Sequence, residues 1–153
     1  MLKFILPFLL IFTIFAKEKV TDQEKKQMIE LLAQNEKVFE SYFEYNAEKV
    51  EEHAKELIKK FEMVKSEKFK EDLGRALKYL SKISKDAKRK DNNKNYHLTS
   101  SFLIKLINKY DFGPKYQAYY CPMVRKKWIQ NVDVKSRVHN PYDPSMPHCG
   151  GRL

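Results

Sequence analysis

From Met28 to Ile107 the apolar residues recur at helical spacing, and at Asp111-Phe112-Gly113-Pro114 the recurrence stops. A run of that period must bury one stripe of each helix against another element. Thr21-Asp22-Gln23-Glu24 opens it in capping-box form, a hydroxyl followed three residues later by a glutamate. Met28, Leu31, Leu32, Val38, Phe39, Tyr42 and Phe43 make the first stripe. Val50, Ala54, Leu57, Ile58 and Phe61 make the next, with Asn46 as a break or second cap. Residues 22–62 therefore read as one long helix or two. A third segment, opened by Ser66, carries Phe69, Leu73, Ala76, Leu77, Leu80 and Ile83. The polar stretch 85–95, with adjacent asparagines, reads as a loop. A last helix is predicted from about Tyr96 to Tyr110, with Leu98, Phe102, Leu103, Leu106 and Ile107 on its stripe. Gly113 can take the left-handed C-terminal position, and Pro114 cannot continue the helix.

The expected fold is all-α: an antiparallel bundle of about four helices over 17–114. A tail over 115–153 packs on it as part of the same domain. Pro114, Pro122, Pro141, Pro144 and Pro147 punctuate that tail and nearly exclude helix. Tyr116, Ala118 and Tyr120 suit a short strand, and Trp128-Ile129 a second extended piece. The expectation is an irregular tail with short extended segments, anchored by Trp128 and the tyrosines.

The first sixteen residues set the compartment. Lys3 precedes an apolar run from Phe4 to Phe15, and Ala16 is a plausible cleavage residue. This is the pattern of a cleavable signal peptide over 1–16, and the run is short for a membrane span. The mature chain is expected to be periplasmic or secreted, with no stable membrane span. The formal net charge is +10, which would suit an anionic lipid or an acidic partner. Lys-rich helix faces read more simply as solvated. An exported chain without a binding motif gives no reason to expect nucleic acid.

Chemistry concentrates in the tail. Cys121 and Cys149 are the two cysteines, with Met123 and Met146 close by, and His139 and His148 in the same region. Thiolate and thioether donors suit Cu(I), and Cys with His also suits Zn(II). The competing reading is a Cys121–Cys149 disulfide, an even pair in an oxidising compartment. Closing that loop would contribute roughly 3.6 kcal/mol on the chain-entropy estimate. An oxidised pair offers no thiolate, so the two readings exclude each other, and the residues alone leave both open. A catalytic cysteine with His139 or His148 as base is the weaker reading, because no oxyanion hole or orienting carboxylate is evident; the chain is not expected to be an enzyme. His53 and His97 stand alone and read as surface or packing residues.

The tail resembles a bacterial extracytoplasmic domain family of uncharacterised function, found as small exported proteins and attached to heavy-metal efflux adaptors. "YQAYYCPM", "KKWIQN", "VHNPY" and "MPHCG" occur here in the family's order, and "NYHLTSSFLIKLINKY" is similar to its last helix. The resemblance implies a metal-binding role, for copper, with an efflux or envelope protein as partner. The matched sulfur positions are Cys121, Met123, Met146 and Cys149; His148 is added as a ligand because it sits between the last two. Asn140, Pro141 and Tyr142 match as a turn. His139 stands where the family often has arginine, and Asp143-Pro144-Ser145 replaces a Gly-containing link. The leading expectation is an exported Cu(I)-binding domain that hands metal to an efflux or envelope partner. The alternative is a disulfide-stapled helical interaction domain without a metal.

Overall fold

The computed structural model describes residues 16–153; the leader expectation falls on residues 1–15, outside the described residues. Four helices carry the stripes: α1 (Asp22–Ser41), α2 (Ala47–Met63), α3 (Lys70–Leu80) and α4 (Arg89–Lys109). Short links fold α1 onto α2 and α3 onto α4. Leu57, Leu80, Leu103 and Leu106 meet in one buried cluster, and Ile58, Leu77 and Phe102 pack against it. No helix among the described residues is long and apolar enough to cross a membrane.

The helix starts follow local chemistry. Thr21 caps α1: its hydroxyl accepts from the Glu24 N–H at 3.2 Å, and its own N–H donates to the Glu24 carboxylate at 2.8 Å. Asn46 ends the ambiguity over 22–62, because its side chain accepts from the Lys49 N–H at 2.9 Å and begins a second helix. Ser66 does not open the third helix. Its hydroxyl donates to Glu24 at 2.6 Å, and α3 starts four residues later without a side-chain cap.

Glu24 thus ties the start of α1 to the link before α3. The Ser66 hydroxyl, then the Thr21 N–H, and more weakly Lys68 hold its carboxyl down from 4.5 to about 2. A depressed folded-state pKa gives stability that is complete above about 4.5 and lost as pH falls toward 2. Glu24→Gln should cost about 1–2 kcal/mol at pH 7. The penalty should shrink between pH 4.5 and pH 2 in urea titrations of the two proteins. A pH-independent difference would remove this role for the charge.

The region 85–95 is not a loop throughout: α4 begins at Arg89, two turns earlier than the periodicity predicts. Asn92 explains the extension. It is fully buried, and its amide donates to the Tyr45 hydroxyl and the Ser84 carbonyl, both at 2.8 Å. Its own carbonyl accepts from the Tyr42 hydroxyl at 3.0 Å. Arg89 donates to the Tyr42 carbonyl at 3.2 Å and lies over the Tyr45 ring. These long-range bonds offset the low helix propensity of an Asn-rich turn.

Beyond α4 the chain is more regular than an irregular tail. Strands β1 (Tyr116–Cys121), β2 (Lys126–Asn131) and β3 (Gly151–Arg152) form an antiparallel sheet in the order β2-β1-β3. Strands β1 and β2 make a hairpin with Tyr119 opposite Trp128 and Cys121 opposite Lys126. Arg125 takes positive φ in its turn. Gly113 also has positive φ, as expected, but within an Asp111 side-chain turn after the helix rather than at its last turn. Strand β2 lies on α4 and α1, and Asn131 donates to Glu36 of α1 at 2.9 Å. Trp128 and Tyr142 belong to the same buried cluster as the helices.

Candidate functional site

The end of β1 and the start of β3 bring the two cysteines together. Cys121 is fully buried and is bonded to Cys149, with Cα atoms 5.5 Å apart. The bond joins the first sheet strand to the last residues of the chain. Gly150, next to it, has φ +142, and a Cβ there would come within 2.7 Å of the Trp128 ring and 3.0 Å of the Tyr120 carbonyl. Only glycine suits both the conformation and the close approach.

Trp128 is the centre of this region. It is fully buried, stacks with Tyr119 at 5.8 Å and meets Tyr142 edge-on at 6.2 Å. The segment between β2 and β3 wraps it through two buried amides. Gln130 donates to the carbonyls of Lys135 and Arg137 at 2.8 and 2.6 Å and accepts from the His139 N–H at 3.0 Å. Asn140 accepts from the Tyr142 N–H at 3.0 Å and donates through its side chain to Met146 at 3.2 Å. Its backbone N–H donates to Pro147 at 2.8 Å. The Tyr142 hydroxyl donates to the Lys127 carbonyl at 2.6 Å. Asn140-Pro141-Tyr142 is a turn that closes the cap over the tryptophan.

The sulfur positions are therefore dispersed in chemistry. Met123 sits at the hairpin tip, 71% exposed. Met146 is half-buried, and its carbonyl accepts from the Cys149 N–H at 3.1 Å. His148 is exposed, with Nδ1 2.9 Å from the Val138 carbonyl. Among the described residues no three His, Cys, Asp or Glu side chains converge as a metal-ion cluster. The oxidised pair carries no thiolate, so this form lacks the strong donors that a Cu(I) site needs. His97 is a packing residue: its Nδ1 accepts from the Lys127 N–H at 2.9 Å, and burial lowers its pKa.

No family model, no curated protein and no solved structure matches the chain.

Two features of the region escape sequence reasoning. One is a groove of about 340 Å³ between the end of α1 and the cap, lined by Tyr42, Phe43, His139, Pro141, Pro144 and Pro147. Tyr42 and Phe43 read as core stripe in the sequence, and the prolines as breakers; only the fold sets them face to face. The other is the approach of His139 to His148, with ring centres 5.5 Å apart. The histidines at either end of the Asn140–Pro147 stretch were the available signal.

Proposed function

We propose that the protein is an exported, non-enzymatic interaction domain in which Cys121 and Cys149 form a structural cross-link. The carrying observation is the bonded pair itself, with Cys121 buried at the end of β1, Cys149 half-buried, and a Cα separation of 5.5 Å. A cross-link of this kind belongs in an oxidising compartment, in keeping with the leader-like N-terminus. In this reading the partner-facing surface is the groove beside the cap. Aromatic and proline walls suit an extended segment, and Lys135, which lies over the Phe43 ring, places a cation at its edge. With that cation at the groove edge, the partner it fits is an acidic segment of an envelope protein.

The second reading is the soft-metal domain for Cu(I), serving a metal-efflux partner. It draws support from the same proximity. After reduction, two thiols stand close enough to ligate one ion, with Met146 and His148 in the adjoining turn and Met123 on the hairpin. A competition titration against a Cu(I) chelator separates the readings. With the protein kept in its isolated oxidation state, without a thiol reductant, the interaction domain should give equal Cu(I) affinity for wild type and for the Cys121→Ser/Cys149→Ser double variant. A thiol-dependent affinity, weakened at low pH as protons compete, would transfer the assignment to the metal domain.

A further inference from the structure

His139 and His148 lie on separate stretches of the cap that Asn140 clamps together through Pro147 and Met146. Their ring centres are 5.5 Å apart and their planes meet at 81°. Two imidazoles sharing one ion at metal–nitrogen distances of about 2.0–2.1 Å place their ring centres roughly 4.5–6 Å apart. The observed spacing falls in that range.

The surroundings prepare both rings for ligation. His148 Nδ1 lies 2.9 Å from the Val138 carbonyl, which selects the tautomer with the proton on Nδ1 and leaves the Nε2 lone pair free. His139 packs edge-on against Phe43 at 5.3 Å, and its backbone N–H is held by Gln130. Neither ring is needed by the disulfide, although Cys149 anchors the turn that carries His148.

We propose that His139 and His148 form a two-histidine site for a borderline divalent cation, Cu(II) ahead of Zn(II), that operates while Cys121–Cys149 is oxidised. Imidazole suits both ions, and the Irving–Williams order sets their ranking. Solvent would complete the coordination on the exposed His148 side. This site shares His139 with the groove and His148 with the Cu(I) reading, but it uses neither thiolate nor thioether and needs no reduced cysteine.

The test is titration of the oxidised full chain with Cu(II) and, separately, Zn(II), followed by calorimetry and, for copper, electron paramagnetic resonance. The expected result is one equivalent bound through two nitrogen donors. Affinity should fall roughly tenfold or more in His148→Ala and in His139→Ala, and be unchanged in His53→Ala. His148 is exposed, so its variant keeps the test sound if His139→Ala unfolds. Repeating the titration in the Cys121→Ser/Cys149→Ser background separates this site from any thiol site. Unchanged affinity in His148→Ala, or equal loss in His53→Ala, would overturn the proposal.

Discussion

Opening the Cys121–Cys149 bond should lower the stability of the protein by roughly 3.6 kcal/mol, within the usual range of about 2–5. Reduction, or the Cys121→Ser/Cys149→Ser double variant, should have the same effect. Strand β3 explains why the cap depends on the bond. It has two residues, pairs with β1 only at Tyr119↔Arg152 and Tyr120↔Gly151, and adds one bond from the Leu153 N–H to Ala118. So short a strand has little independent stability. The chain has one tryptophan, and it lies under Gly150. Urea unfolding of oxidised and reduced protein, read by Trp128 fluorescence, should show the cap loosening at lower denaturant after reduction. Equal midpoints in the two states would mean that the cross-link does not hold the cap.

Trp128→Ala should cost about 3–5 kcal/mol, the range for truncating a large buried aromatic. Trp128 joins three pieces of chain: Tyr119 across the hairpin, Tyr142 from the turn, and Gly150 beside the disulfide. Its ring, rather than its N–H, carries the contribution, because Nε1 reaches Gln130 only at 3.5 Å. Trp128→Phe should therefore recover much of the loss. Chemical denaturation followed by circular dichroism gives both numbers. A cost below about 1 kcal/mol for Trp128→Ala would show that the cap is not built on this ring.

These two expectations rest on parts of the molecule that differ in how far the sequence discloses them. The stripes, the Thr21–Glu24 box and the Asn46 cap are local signals, and the helices they specify are present. Ser66 looked like a cap because serine before an apolar run usually is one; its hydroxyl instead serves Glu24, forty-two residues away in the chain. The first two turns of α4 were hidden because Asn92 is held by Tyr42, Tyr45 and Ser84, none of which is a local helix signal. The sheet was half visible. Alternation and aromatic residues marked β1 and β2, but Gly151-Arg152 has no strand signature and is a strand only because the disulfide and Gly150 set it beside β1. The fold also redistributes the candidate ligands. The turn residues of the hairpin include Met123, which therefore points to no buried site, whereas His139 and His148 approach through a turn whose closure depends on Asn140.

The cross-link is the premise shared by the cap's stability and the interaction-domain reading. Peptide mapping of the protein isolated from its native cells under non-reducing conditions, after alkylation of any free thiol, measures it directly. The account predicts a quantitative linked peptide containing Cys121 and Cys149, with no alkylated cysteine. Two alkylated cysteines in the folded protein would contradict it and leave both thiols available as Cu(I) ligands.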